Sequence, residues 1–268
     1  MAIKVMEWNI QGQSGMNKAY GLMSIEKKIT ACAADIFVLT EFVVAKGLDS
    51  FLGKLRAENY SLFFDPNLEC RKNYVLIGIS NSLAVKNASY DIPQSDGINL
   101  LRVRLHLDSG QPLSIIGCRM MTGEKDLRKQ YDQERECLEK VLLPLVAENR
   151  DLCIVAGDFN NATCYGSLSE KFDAVKANYY KDGEELAQIN YNLHIINDRF
   201  GDNEFELVDI NNGAPIPTHK CFPDDHIFVR GFKKESVRPI PAAKLSDHKI
   251  IYAEVSLKTG IHASGCLS

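Results

Sequence analysis

The order in which strands and helices are predicted along the chain constrains its fold more than any other feature of the sequence. Apolar and polar residues alternate over residues 2–10, which predicts a strand. Residues 17–34 have the apolar spacing of an amphipathic helix, and residues 35–41 are predicted to form a second strand. A second helix is predicted at 48–59, with Asp49 as its N-cap. The pattern then changes to closely spaced strands, which is typical of an antiparallel sheet.

A long helix separates this group of strands from a second one. The helix at 124–149 is the most strongly periodic segment of the chain, and a strand at 152–158 follows it. The polar region 163–205 is longer than a catalytic core needs, and we interpret it as an insertion that determines specificity. The other strands are predicted at 61–65, 74–80, 82–86, 99–107, 112–120, 205–210, 225–231, 235–240 and 248–257.

This succession of elements occurs twice, which indicates two similar halves. Two sheets that face each other, with helices on their outer sides, satisfy the pattern. We therefore predict an α/β fold, a four-layer sandwich of two mixed sheets, in a single domain over residues 1–268. Hydrophobic residues make up 45% of the chain, which is enough for a core of this size.

Charge and cysteine usage exclude several classes of protein. The net charge of -4 gives no bulk attraction to nucleic acid or to an anionic membrane, although a local basic patch or a bound cation can still hold a phosphate. The eight cysteines include no CxxC pair and no zinc-binding spacing. Glu7 interrupts the apolar run of the amino-terminal segment, which does not match the pattern of a signal peptide. No stretch has the roughly 20 apolar residues that span a membrane. We therefore expect a cytoplasmic protein without membrane insertion.

Acidic and amide side chains recur at one kind of place, where an apolar strand ends or begins. These residues are Asn9, Glu41, Asp158, Asn160, Asp225, Asp247 and His248. Each has a local alternative, because a single residue of this type commonly caps a turn or forms an Asx turn. Taken together, their carboxylate and amide oxygens are ligands for Mg²⁺ or Mn²⁺ rather than for zinc. A carboxylate beside an Asp–His pair suits the activation of a water and the stabilisation of a phosphoryl oxygen.

Five short blocks of sequence carry these residues: EWNIQG, VLTE, AGDFNNAT, PDDHIFV and LSDHKII. In content and order they resemble the signature blocks of the endonuclease/exonuclease/phosphatase superfamily, the DNase I-like group. The resemblance covers nearly the whole chain, and GDFN with a downstream SDH is specific as a pair. It implies the in-line hydrolysis of a phosphoester, assisted by one or two divalent ions. It also implies that Glu41 is the main ligand of a Mg²⁺ or Mn²⁺ cofactor, with Asn9 and Asp247 as further ligands.

The same resemblance implies catalytic roles for four residues. Asp158 orients or deprotonates the attacking water, and Asn160 holds a phosphate oxygen and the nucleophile. His248 stabilises the charge of the phosphorane or shuttles a proton. Asp225 supports His248 through a hydrogen bond that fixes its tautomer.

One position departs from the family pattern. Many members have a histidine or tyrosine where this chain has Arg119, in the block IIGCRMMTG. Arginine binds phosphate in a bidentate manner, so Arg119 is a candidate phosphate ligand. The alternative is a structural ion pair with one of the carboxylates of the site.

A second group of phosphate-binding candidates lies in the block CRKNYVLIGIS. It contains Arg71, Lys72 and Asn73, which align with a family loop that often contacts substrate. The alternative is a solvated turn.

The function expected from these features is that of a Mg²⁺-dependent phosphodiesterase, a nuclease that cleaves DNA or RNA. Two other hypotheses are a phosphomonoesterase or lipid or small-molecule phosphodiesterase of the same superfamily, and a catalytically silent binding module. The intact set of candidate residues argues against the silent module. The sequence predicts no oligomeric state.

Overall fold

A computed structural model describes residues 2–12, 21–83, 85–93, 97–120, 136–148, 151–160, 196–219 and 222–258 of the chain. Most of the insertion predicted at 163–205, and the first part of the helix predicted at 124–149, lie outside these ranges. None of the helices within them is long and apolar enough to cross a membrane.

The first of two six-stranded sheets has one parallel pair among antiparallel neighbours. Its strands are β1 (Ala2–Asn9), β2 (Ile36–Phe42), β3 (Tyr60–Phe63), β4 (Tyr74–Ser80), β13 (Phe232–Ile240) and β14 (Ile250–Leu257). They lie in the order β13-β14-β1-β2-β4-β3. β1 and β2 run parallel, and β14 lies antiparallel on the other side of β1.

The second six-stranded sheet repeats this arrangement. Its strands are β5 (Val85–Asp91), β6 (Ile98–Leu107), β7 (Pro112–Met120), β8 (Leu152–Asp158), β9 (Glu206–Leu207) and β12 (Asp225–Arg230). They lie in the order β5-β6-β7-β8-β12-β9, and β7 and β8 are the parallel pair. A small separate hairpin consists of β10 (Ile210–Asn211) and β11 (Ala214–Pro215).

Helices cover the outer faces of the two sheets. The first sheet is covered by α1 (Gly21–Cys32) and α2 (Leu48–Ala57), whose apolar sides share one buried cluster with Trp8 and Phe37. The second sheet is covered by a helical segment that includes a wider turn over Leu138–Leu142 and α3 (Leu143–Ala147). Residues 196–201 are also helical.

The inner faces of the two sheets form the central core. Ile3 and Val38 from the first sheet pack in one cluster with Ile154 and Ile227 from the second. With a helical layer on each outer side, the molecule has four layers. The predicted four-layer sandwich of two mixed sheets is therefore confirmed.

Several predicted boundaries were wrong for local reasons. α2 begins at Leu48 after Gly47, whose φ of 86° lies in the left-handed region, so Asp49 is inside the first turn and is not the N-cap. In the first turn, the negative charge of Asp49 still stabilises the helix through its interaction with the helix dipole. The strand predicted at 82–86 begins only at Val85, because Asn81–Leu83 forms a tight helical turn. The strand predicted at 205–210 is interrupted between Leu207 and Ile210.

Candidate active site

The carboxyl ends of the two parallel strand pairs meet across the sandwich. Asn9 is the last residue of β1 and Glu41 is the last but one of β2, while Arg119 and Asp158 lie side by side at the ends of β7 and β8. Asn9 Nδ2 donates to Asp158 Oδ2 at 2.7 Å and to Glu41 Oε1 at 3.3 Å. One buried amide therefore joins the ends of the two sheets.

The backbone at Glu41 turns its side chain toward this junction. Its φ is 56°, and the register between β2 and β4 shifts between Leu39 and Phe42, as at a β-bulge. A Cβ on Gly12 would lie 2.0 Å from the carbonyl oxygen of Glu41, so only glycine allows the two segments to pack this closely. The EWNIQG block thus ends in a glycine that leaves room for the Glu41 backbone.

Arg119 binds the carboxylate of Glu41. Its Nη2 and Nε lie 2.8 Å and 3.2 Å from Glu41 Oε1, and its Nε lies 3.9 Å from Asp158 Oδ2. The ion pair that the sequence left open as an alternative is thus present in the structure. A role of Arg119 in binding phosphate stays a prediction.

Asp158 is buried at the centre of the group. Besides the bond from Asn9, its Oδ1 accepts a hydrogen bond from the backbone N–H of Asn160 at 2.8 Å, which is the Asx turn of the GDFN block. Burial raises the pKa of Asp158 to about 7, helped by the charge of Asp225 and opposed by those of His248 and Arg119. A carboxylate of this kind is suited to exchange a proton near neutral pH.

Asp225 and His248 form a buried pair. Asp225 is the first residue of β12 and lies opposite Asp158, and its Oδ2 is 2.7 Å from His248 Nδ1. Burial alone would lower the pKa of His248, but the charge of Asp225 and the hydrogen bond to it, together with Asp158 and Asp224, raise it to about 10. The carboxylate of Asp225 therefore favours the cationic form of the His248 ring.

The loop before His248 is attached to the end of β1. Ser246 Oγ donates to the backbone oxygen of Asn9 at 2.7 Å and accepts from the backbone N–H of His248 at 3.0 Å. The hydroxyl of Ser246 thus connects the SDH block to Asn9. It holds His248 and Asp247 beside the other candidate residues.

Asn9 and Asn160 present their amide nitrogens to protein oxygens. Asn9 Oδ1 accepts a hydrogen bond from the backbone N–H of Gln11 at 2.8 Å, so its amide nitrogen faces the two carboxylates. Asn160 has a φ of 48° and donates from Nδ2 to the backbone oxygen of Met120 at 2.5 Å. The roles of Asn9 as a metal ligand and of Asn160 as a phosphate ligand stay predictions.

Two carboxylates at the site are open to solvent. The side chains of Glu41 and Asp247 are 21% and 44% exposed. Mg²⁺ typically takes one or two carboxylates and completes its shell with waters and substrate phosphates, so these residues fit such an ion. In the described ranges, no group of three or more His, Cys, Asp or Glu side chains is placed to hold a metal ion alone.

The remaining candidates lie in the loop before β4. Arg71 and Lys72 are exposed, Lys72 pairs with Glu69 at 2.7 Å, and Arg71 has a φ of 69°. Within the part of the chain described above, no hydrogen bond or ion pair joins Arg71, Lys72 or Asn73 to the site. Their contact with substrate stays a prediction.

Sequence reasoning missed a second Asp–His pair next to the first. His219 Nδ1 lies 3.1 Å from Asp224 Oδ2, and the His219 ring stacks on His248. The two consecutive aspartates of the PDDHIFV block could have indicated this second pair. Two adjacent carboxylates at the start of a buried strand each need a hydrogen-bond partner.

Two further buried acids lie beneath the site and were also missed. Asp209 Oδ2 is 2.9 Å from His226 Nδ1, and both side chains are fully buried. Glu7 is fully buried on β1, and neither of its oxygens has a hydrogen-bond partner among the described residues. The burial of Glu7 could be predicted from the sequence, because residues 5, 7 and 9 lie on the same face of β1, the face toward the other sheet.

Comparison with known proteins shows the family and the fold of this chain. The model of the Endonuclease/Exonuclease/phosphatase family matches residues 6–248. The human Nocturnin catalytic domain with a bound sulfate anion has a TM-score of 0.65 at 17% identity, over 96% of this chain and 95% of that one. A D. rerio TDP2 complexed with a single-strand DNA product has a TM-score of 0.62 at 17% identity, over 95% and 99% of the two chains.

A third similar structure is ANGEL2, a 2',3'-cyclic phosphatase in complex with adenosine-2',3'-vanadate. Its TM-score is 0.64 at 15% identity, over 96% of each chain. A search of the curated proteins found no match. At these levels of identity, the three structures show a shared fold.

Proposed function

Because the chain belongs to the endonuclease/exonuclease/phosphatase family, whose members are phosphoester hydrolases, we propose that it hydrolyses phosphodiesters with the help of a divalent cation. The observation that carries the proposal is the meeting of Asn9, Glu41, Asp158, Asp225 and His248 at one end of the sandwich. These residues come from both sheets, so the fold itself assembles the site.

The proposed reaction is an in-line attack of water on phosphorus. Asp158 accepts the proton of the attacking water, since it is the buried carboxylate at the centre of the group. His248, held by Asp225, stabilises the negative charge that builds up on the phosphoryl oxygens. Arg119 neutralises Glu41 in this structure, and its Nε lies 3.9 Å from Asp158 Oδ2, so its guanidinium can bind a phosphate oxygen beside Asp158.

Glu41 and Asp247 are the residues that would hold Mg²⁺ or Mn²⁺, because they are the partly exposed carboxylates of the site. When bound, such an ion supplies positive charge to the phosphoryl oxygens and to the leaving oxygen. Asn9 holds both Glu41 and Asp158 in position through its amide nitrogen.

We propose a nucleic acid as the substrate, DNA or RNA. The TDP2 structure with its DNA product and the ANGEL2 structure with an adenosine vanadate support this class, because both contain nucleotide ligands on a similar fold. The net charge of -4 favours a local contact with phosphates at the site over broad electrostatic attraction. A cytoplasmic location stays a prediction from the sequence.

A substrate panel tests this proposal. The purified protein is incubated with bis-p-nitrophenyl phosphate, the monoester p-nitrophenyl phosphate, single-stranded DNA, RNA or adenosine 2',3'-cyclic phosphate, each in Mg²⁺, in Mn²⁺ and in EDTA. We expect hydrolysis of at least one diester that depends on the metal. Cleavage of the phosphomonoester alone would show a phosphatase instead of the proposed phosphodiesterase. No cleavage of any phosphoester would refute the proposal that the protein is an enzyme of this kind.

A further inference from the structure

A second imidazole lies against His248 at the site. The rings of His219 and His248 are stacked, with centroids 4.7 Å apart and an interplanar angle of 12°. Their backbones form an antiparallel bridge, and the N–H of Lys249 donates to the backbone oxygen of Thr218 at 2.9 Å. Because backbone contacts hold the two segments together, the position of the second ring is determined by the fold.

Two consecutive aspartates hold the two rings by the same atom. Asp224 Oδ2 is 3.1 Å from His219 Nδ1, and Asp225 Oδ2 is 2.7 Å from His248 Nδ1. Both aspartates are buried, and the backbone N–H of Asp225 donates to Thr218 Oγ1 at 3.2 Å. With Nδ1 engaged in each ring, the two Nε2 atoms point away from the aspartates toward a common region.

In this structure the two Nε2 atoms face a single carboxylate. His219 Nε2 is 3.6 Å from Asp247 Oδ2, and His248 Nε2 is 4.0 Å from Asp247 Oδ1. The carboxylate thus lies across the two rings with one oxygen toward each, so an anion with two oxygens can meet both rings from this side. The side chains of His219 and Asp247 are 23% and 44% exposed, so a ligand can reach this side of the stack from solvent.

We propose that His219 is a substrate-contacting residue, whose Nε2 donates a hydrogen bond to a phosphate oxygen beside the one that His248 addresses. The inference rests on the proposed phosphoester hydrolysis and deepens it. A phosphate has more than one free oxygen, so two parallel imidazoles can each take one. The competing explanation is that His219 only supports the His248 ring by stacking.

Two variants separate contact from stacking. His219→Phe keeps a flat ring but loses both nitrogens, whereas His219→Gln keeps an N–H donor but loses the ring. Inorganic phosphate is the probe, and its binding to the metal-free protein in EDTA is measured by isothermal titration calorimetry. The control is His106→Phe, at an exposed position where β6 pairs with Pro112, the end of the strand away from Arg119.

We expect His219→Phe to weaken phosphate binding about tenfold or more, which corresponds to one hydrogen bond to a charged group. His219→Gln is expected to stay within about threefold of the wild type, which is less than the loss of a hydrogen bond would cause. The opposite ranking, equal affinity for wild type and His219→Phe, or no phosphate binding by the wild type would overturn the inference. If one variant does not fold, the other still separates contact from stacking, because the two explanations predict opposite results for each.

The binding assay does not depend on turnover. A wild-type protein that cleaves no phosphoester but shows the expected ranking would contradict the proposed function and still support the phosphate contact of His219. An active wild-type protein with the opposite ranking would overturn the His219 inference alone.

Discussion

Replacing the buried Glu7 with glutamine is expected to make the stability of the protein less dependent on pH. Glu7 is fully buried between the sheets, with no hydrogen-bond partner for either oxygen among the described residues. Burial raises its pKa well above the ordinary value, and the charges of Asp225, Asp158 and Asp209 raise it further. The folded protein therefore holds a proton on Glu7 at a pH where the unfolded chain has released it.

The size of the effect follows from proton linkage. Above the pKa of glutamate in the unfolded chain, about 4.3, the unfolded state binds one proton fewer than the folded state. The free energy of unfolding then falls by about 1.4 kcal/mol for each pH unit, until the pH reaches the folded-state pKa of Glu7. Glutamine is neutral in both states and removes this loss. Between the unfolded-state pKa and the folded-state pKa of Glu7, the variant therefore gains about 1.4 kcal/mol on the wild type for each pH unit.

Urea unfolding of the metal-free protein in EDTA, at a series of pH values, measures this difference. Glu7→Gln should approach the wild type in stability near about pH 5 and exceed it increasingly as the pH rises above that value. Glu58→Gln is the matched control, because Glu58 is exposed at the end of α2. Parallel curves for the wild type and Glu7→Gln would show that the carboxyl is not protonated in the fold, and would refute the reasoning.

Three further predictions concern the framework and charges of the site. Gly157→Ala should destabilise the protein by about 3 kcal/mol or more in urea unfolding, because its Cβ would lie 1.8 Å from a carbonyl oxygen of the neighbouring strand. Gly53→Ala in α2 is the control, because a Cβ there meets no atom within 4 Å, and it should stabilise the protein by about 1 kcal/mol. Equal changes in stability for the two variants would contradict the close packing at Gly157. Arg119→Met should tighten Mn²⁺ binding in calorimetry, since the guanidinium no longer occupies the carboxylate predicted to bind metal; unchanged affinity would count against that ligand. Asp225→Asn should lower the pKa of His248, followed by NMR in EDTA, because the variant removes its negative partner; an unmoved titration would contradict the pair.

The parts of the fold that the sequence predicted are those determined by local pattern. β1, β2, β7 and β8 are alternating or continuous apolar segments, and their boundaries fall within a few residues of the prediction. The polar residues at the ends of these strands meet because the carboxyl ends of both parallel pairs lie at the same end of the sandwich. The sequence placed these residues at strand ends, and the structure adds the parallel direction within each pair.

The contacts that the sequence could not predict depend on the distance between segments far apart in the chain. Arg119 pairs with Glu41 because one strand of each sheet ends at the same place, and local pattern does not distinguish this ion pair from a free phosphate ligand. His219 lies beside His248 because of a bridge between two loops. Such contacts are set by tertiary structure and leave no periodic signal in the sequence.

The boundary errors have the same origin. Asp49 is a good N-cap residue by type, but Gly47 supplies a left-handed turn two residues earlier and the helix begins there. The strand predicted before Val85 gives way to a helical turn that connects the two sheets. In both cases the turn between elements, rather than the propensity of the element, determined where it begins.

The central claim is that Asp158 activates water for phosphodiester hydrolysis at this site. It is tested most directly by the initial rate of metal-dependent hydrolysis by Asp158→Asn, measured beside Asp108→Asn, an exposed aspartate that pairs with Lys86 at 3.3 Å. We predict a loss of about a thousandfold for Asp158→Asn, with cooperative urea unfolding retained, and a rate near that of the wild type for Asp108→Asn. A folded Asp158→Asn with a rate within about threefold of the wild type would contradict the account.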